Sequence, residues 1–202
     1  MTSVKDLLTR RTHVCPWWLA YTFDNPIRKL FHRPQKILAP HITAGKRAMD
    51  VGCGMGYFSI AMAKMVGDNG RVLCVDLQPK MLEITEKRAR RAKLNGRMAF
   101  YRCESDYLGI AEMVDFILGF WVVHEVNHQK AFFSQLQSNL IPGGKILIAE
   151  PKIHVADGDF QQTLQIAESA GLRICGKPAI RFSHAALFLK SEKKEKFAQF
   201  AK

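Results

Sequence analysis

The sequence predicts a doubly wound α/β fold: a seven-stranded sheet, mostly parallel with an antiparallel terminal strand, and helices on both faces. Three observations carry this expectation. From Lys46 onward, short apolar runs alternate with helical patterns, the order that builds a parallel sheet covered on both sides. The first run ends in Asp50-Val51-Gly52-Cys53-Gly54-Met55-Gly56 and passes at once into a helical pattern, so a strand, a tight glycine turn and a helix N-terminus follow one another. The last two runs have no helix between them and are expected to pair antiparallel at an edge. The 202 residues suffice for one such domain and are too few for two.

In chain order, residues 1–44 differ from the rest and are expected to form a helical cap segment. Lys5–Arg11 suggests a short helix. An aromatic stretch follows, Cys15-Pro16-Trp17-Trp18-Leu19-Ala20-Tyr21-Thr22-Phe23, and Asn25-Pro26 suits a helix start. The first strand is expected over about 46–51 and its helix over about 57–66. Gly67-Asp68-Asn69-Gly70 is turn chemistry. Strand two, Arg71–Asp76, leads into a helix that has Pro79 in its first turn and is closed by Asn95-Gly96. Strands three and four fall at about 98–102 and Val114–Leu118, and Asn127 is a candidate cap for a helix over about 128–140. Pro142-Gly143-Gly144 is expected to turn the chain into strand five, Lys145–Ala149. A helix over Asp157–Ala170 stops at Gly171, and two strands follow at about 172–177 and 185–190. Residues 191–202 form a basic tail.

Composition excludes several classes. The apolar fraction of 48% and charged fraction of 24% are those of a globular protein, and no apolar run reaches the roughly 20 residues of a membrane span. The N-terminus has no secretory apolar region, so a cytoplasmic protein is expected. Five cysteines at scattered spacings, without a Cys-x-x-Cys pair, argue against a disulfide framework. The net charge of +12 raises nucleic-acid binding, but much of it sits on one helix (Lys87, Arg88, Arg90, Arg91, Lys93) and in the tail, which read more simply as solvated faces.

Two carboxylates narrow the ligand. Asp76 ends strand two about twenty residues beyond the last glycine, where nucleotide-binding folds meet ribose hydroxyls. Asp50, just before the glycines, suits an ammonium group better than a pyrophosphate. The run Gly52-Cys53-Gly54-Met55-Gly56-Tyr57-Phe58-Ser59 also lacks the third small residue of the dinucleotide fingerprint.

These residues make Asp50-Val51-Gly52-Cys53-Gly54-Met55-Gly56 similar to the acidic glycine motif of class I S-adenosylmethionine-dependent methyltransferases, whose fold is Rossmann-like. Asp76 matches that family's acidic ribose ligand. Ile141-Pro142-Gly143-Gly144-Lys145 resembles its Pro-Gly-Gly turn into strand five. Gly119-Phe120-Trp121-Val122-Val123-His124-Glu125 resembles the loop after strand four in its small-molecule branch, which includes quinone C-methyltransferases and arsenite methyltransferases.

The resemblance covers about residues 36–190 and implies a methyltransferase domain over 45–190 with S-adenosylmethionine as donor, S-adenosylhomocysteine as product and a small-molecule acceptor. It implies that Gly52, Cys53, Gly54 and Gly56 let backbone approach the cofactor and that Asp50 accepts from its amino group. Asp76 would take the ribose hydroxyls, and Leu77 would pack near the adenine. Glu104 and Ser105 would occupy the adenine-reading position, and Phe120 would line the cleft where the methyl group is presented. His124 is the candidate base, needed only if the acceptor must lose a proton.

Rival readings are an RNA methyltransferase and a non-catalytic cofactor-binding subunit. Gly119-Phe120-Trp121-Val122 replaces the Asn/Asp-Pro-Pro motif of enzymes that methylate base amino groups. His124-Glu125-Val126-Asn127-His128 matches a zinc-protease pattern, but the expected turn at Asn127 would keep the histidines off one helix face, so no metal is expected.

Overall fold

The computed structural model describes residues 31–190. The expected helix at Lys5–Arg11, the aromatic stretch around Trp17 and Trp18, and the basic tail lie outside them. Helix α1 (Pro34–Leu38) precedes an alternating series: β1 (Arg47–Val51), α2 (Tyr57–Met65), β2 (Arg71–Asp76), α3 (Pro79–Arg91), β3 (Met98–Arg102), β4 (Val114–Phe120), α4 (Gln129–Ser138), β5 (Leu140–Pro151) and α5 (Asp157–Ser169). Strands β6 (Leu172–Gly176) and β7 (Ser183–Lys190) complete the domain. The seven strands lie in the order β3-β2-β1-β4-β5-β7-β6. Strands β1 to β5 pair parallel with one another, and β7 inserts between β5 and β6, antiparallel to both.

The strands are apolar on both faces because helices cover both. Side chains alternate across a strand. Ala48, Val72, Cys74, Phe116, Leu118 and Leu147 point to one side, where Met62 and Val66 meet them. Met49, Leu73, Val75, Ile117, Ile146 and Ile148 point to the other, against Phe133, Leu136 and Leu164. Strand order reverses between β1 and β4, and at such a crevice the loops after neighbouring strands part to leave a ligand site.

Three boundaries differ from the sequence expectation. Pro142-Gly143-Gly144 is not a turn before strand five but a bulge inside it. Val114 pairs with Leu140 and Phe116 with Lys145, so the extra residues are absorbed at Gly143, which has φ +75°. Asn127 does not cap α4; His128 precedes the helix without a side-chain bond to it, and Asn127 faces a cleft. Helix α3 does not run on to Asn95-Gly96. It ends at Arg91 and is closed by Lys93, which has φ +56°, with Leu94 N–H donating to Ala89 O and Lys93 N–H to Arg90 O. That pair of bonds is a Schellman close with lysine where glycine is usual. Leu94 and Ala89 are both buried in the core on that face of the sheet, and burying Leu94 offsets the local cost.

A left-handed backbone costs a non-glycine residue about 1–2 kcal/mol. Lys93→Gly should therefore stabilise the protein by about 1 kcal/mol, raising the thermal midpoint by roughly 2–4 °C. A midpoint that stays put or falls in calorimetry would remove this account of the helix end.

Candidate functional site

The glycine turn takes its shape from what surrounds it. Gly52, Gly54 and Gly56 have φ of +68°, +52° and +79°. A Cβ on Gly52 would lie 2.5 Å from Val122 Cγ2, and one on Gly56 would lie 2.6 Å from Thr85 Cγ2. Those two glycines admit neighbouring protein. Gly54 is different: nothing stands within 4 Å of its Cβ position, and it borders a cleft. Helix α3 holds the turn from outside. Thr85 Oγ1 donates to Gly54 O at 2.8 Å, and Arg88 donates to Met55 O at 2.8 Å. Arg88 is thus part of the turn's scaffold and not of a solvated basic face.

Below the turn sit two buried acids. Asp50 is 3% exposed, and Ser59 on α2 donates to its Oδ2. Asp76, at the end of β2, accepts from Gly54 N–H on Oδ2 and from Gln78 N–H on Oδ1, both at 2.9 Å. Each carboxylate oxygen has a second lone-pair direction, so these bonds aim the group without using up its acceptor capacity. Burial raises the Asp76 pKa above the ordinary carboxylate value, and the amides of Gln78, Gly54 and Leu77 pull against that rise.

A cleft of about 220 Å³ opens over these groups. Gly52, Gly54, Asp76, Leu77, Glu104 and Ser105 line it, all named from the sequence. Asp50, Cys53, Gly56, Phe120 and His124 do not. Cys53 is buried with its thiol donating to Gly54 O, and the neighbouring free thiol of Cys74, together with burial, holds its pKa well up. Phe120 turns to the opposite side of the sheet, 4.4 Å from the Phe58 ring and 5.1 Å from His32. Cys103, also in the lining, has its thiol pushed up to about 11 by burial and by the Asp76 charge.

Sequence reasoning missed several lining residues. Trp121 has φ +61°, uncommon for so bulky a residue, and its indole N–H donates to Ser183 Oγ at 2.9 Å. Gln135 on α4 accepts from Leu108 N–H and donates to Asp106 O, both at 2.8 Å, and so fixes the loop that carries Glu104 and Ser105. Only the contact across 27 residues reveals it.

The loop after β4 is held by Glu150, at the end of β5. Its Oε1 accepts from the amides of Val122 (3.1 Å) and Val123 (3.0 Å), and its Oε2 from the amide of His124 (2.9 Å). His124 Nδ1 lies 2.6 Å from the same Oε2. Burial opposes the imidazolium, but the Glu150 hydrogen bond and charge, helped by Glu125, outweigh it and raise the His124 pKa. His124 belongs to a short 3₁₀ turn, Val123–Glu125, and His128 precedes α4, so the two histidines do not share a helix face. The zinc-protease arrangement is not formed, and the described residues contain no cluster of three or more candidate ligands.

The reversal crevice, the glycine turn and the acid at the end of β2 define a cofactor-binding doubly wound domain. A family model described as a methyltransferase domain matches residues 42–197, and the chain belongs to that family. A demethylmenaquinone methyltransferase of Lactobacillus johnsonii is 28% identical over 155 residues, 73% of this chain and 60% of that protein. The ubiquinone/menaquinone biosynthesis C-methyltransferase UbiE of Cellvibrio japonicus is 28% identical over 115 residues, 56% and 46% of the two chains. A protein-L-isoaspartate O-methyltransferase of Caenorhabditis elegans is 44% identical over 54 residues, 27% of this chain and 24% of that one. The chain thus matches between a quarter and 60% of the length of these relatives. A solved SAM-dependent methyltransferase from Aquifex aeolicus has the same fold, with a TM-score of 0.79 at 21% identity over 88% of this chain and 100% of the other.

The glycines should separate by experiment. Gly54→Ala should leave a folded protein, at a cost of about 1 kcal/mol, while abolishing binding in the cleft. Gly56→Ala should cost about 1–3 kcal/mol of stability through the Thr85 clash. Thermal melts and calorimetry with S-adenosylhomocysteine read both, and equal losses of binding and stability in the two variants would refute the distinction.

Proposed function

We propose that this chain is an S-adenosylmethionine-dependent methyltransferase acting on a small-molecule acceptor. The observation that carries the reading is the aimed carboxylate of Asp76. It is buried, bonded to the glycine turn on one oxygen and to the start of α3 on the other, and it faces the cleft. A vicinal pair of ribose hydroxyls suits its free lone pairs. Gly54, whose Cβ position is open, leaves room for a ligand against the backbone. The residues present therefore fit the cofactor.

When bound, the cofactor would supply an electrophilic sulfonium methyl for in-line transfer, with S-adenosylhomocysteine as the leaving product. The chain's own residues bind, align and exclude water. Gly52 and Gly54 let backbone come close, and Leu77 supplies an apolar wall. Glu104 and Ser105 present acceptors and donors on the wall beyond Asp76. Asp50, fixed by Ser59, places negative charge beneath the turn, where an ammonium group is stabilised. Where an acceptor must lose a proton, His124 is the candidate base, although its ring lies behind the cleft wall and its raised pKa favours the protonated form. With Nδ1 on Glu150, it receives that proton at Nε2. A small acceptor suits the apolar share of the lining (Trp121, Val122, Val126 and Phe132), and the quinone-pathway relatives lend it support.

Calorimetry should detect S-adenosylhomocysteine binding, and silence at high micromolar ligand would end the cofactor reading. Asp76→Ala should weaken that binding by about 1–3 kcal/mol, the cost of stranding hydroxyl donors. The raised Asp76 pKa sets a pH dependence. The carboxylate is the accepting form, so affinity should fall as pH drops through a value above the ordinary carboxyl range. Asp76→Asn should flatten that fall; a fall of the same size in the variant would assign it to another group.

A further inference from the structure

We propose that Glu150 is a positioning residue for cofactor binding. Its buried carboxylate gathers the loop after β4, and so holds Val122 against Gly52 and Trp121 in the wall of the cleft. The inference rests on the cleft being the S-adenosylmethionine site.

Glu150 is 1% exposed and takes four donors from one loop: the amides of Val122, Val123 and His124, and His124 Nδ1. Where the chain leaves a parallel strand, its amides lose the ladder, and a buried amide without an acceptor is costly. One carboxylate supplies acceptors for three successive amides where the ladder of β4 has ended. The segment it holds is strained: Trp121 stands at φ +61°. Such a conformation persists only where its surroundings over-determine it. Trp121 N–H donates to Ala149 O at 2.7 Å, its indole N–H donates to Ser183 Oγ, and the next three amides end on Glu150. The strained residue is thus pinned on both sides.

The consequence reaches the glycine turn through one contact. The methyl carbon Val122 Cγ2 occupies the space that a Gly52 side chain would need. The loop after β4 is therefore packed directly on the turn after β1, and both line the cleft. A carboxylate one strand away sets their common position. Glutamine has the same shape but only one accepting oxygen, so its NH₂ group would meet amide donors. The loop would then have to leave Glu150 or turn its amides elsewhere.

The test is calorimetry with S-adenosylhomocysteine on the full chain, comparing the unaltered protein with Glu150→Gln, Val122→Ala and the double variant. Glu150→Gln should weaken binding about tenfold or more, although position 150 does not line the cleft. Because Glu150 acts through Val122, the double variant should bind no more weakly than Glu150→Gln alone. The Trp121 indole N–H resonance, assigned by its loss in Trp121→Phe, should shift with ligand in the unaltered protein and much less in Glu150→Gln. A residue that only stabilised the fold would lower the melting temperature and leave affinity and this shift alone, which would overturn the proposal. Multiplying losses in the double variant would overturn it too. Absence of binding by the unaltered protein would remove the cofactor reading itself, a result distinct from equal binding by both proteins. If Glu150→Gln does not fold, hydrogen exchange in the unaltered protein decides. Amides 122–124 should exchange as slowly as the interior of β4, and rapid exchange would overturn the assignment.

Discussion

Three buried carboxylates tie the working end of the sheet together. Asp50, Asp76 and Glu150 stand at or near the carboxyl ends of β1, β2 and β5, with exposures of 3%, 7% and 1%. Each is met by groups from the segment that follows its own strand or a neighbouring one: Ser59 at Asp50, the amides of Gly54 and Gln78 at Asp76, and the loop after β4 at Glu150. The physical need is common to all three. Parallel strands end together, the chain must leave them through irregular backbone, and that backbone is partly shut off from water. A carboxylate accepts several bonds from one point, so it can order a loop that has no ladder of its own. The cleft is the space left between loops tethered in this way.

The acids also divide the molecule electrically. The chain carries a net charge of +12, yet the cleft lining includes Asp76, Glu104, Asp106 and Glu125. Among the described residues, Lys87, Arg90, Arg91 and Lys93 are exposed on or beside α3, away from that lining. A cationic ligand therefore meets an acidic lining in the cleft, which disfavours an anionic one.

What was legible in the sequence was periodic or local. Alternating strands and helices, the glycine turn and the acid after β2 all declare themselves within a few residues of their neighbours. Glu104 and Ser105 could be placed because the fold puts the ends of β2 and β3 side by side. The misses depended on distant contacts. Glycine at 52 is required by Val122, and lysine at 93 is tolerated in a left-handed turn because Leu94 finds a buried site. Pro142-Gly143-Gly144 has turn composition, but pairing with β4 on both sides makes it a bulge. His124 and Phe120 stand in the loop and strand to which the sequence points, and their side chains rotate to meet Glu150 and the Phe58 ring. Position along the chain cannot reveal such rotations.

The place of β7 between β5 and β6 bears on how the chain assembles during synthesis. Strand β6 is made first but has no neighbour in the finished sheet except β7. Until residues 183–190 emerge, β5 presents a full unpaired edge and β6 has nothing to join. An open apolar edge of that kind is a template for pairing with another copy of the chain. The interval between making β5 and making β7 is therefore the window in which a nascent chain is most exposed to aggregation.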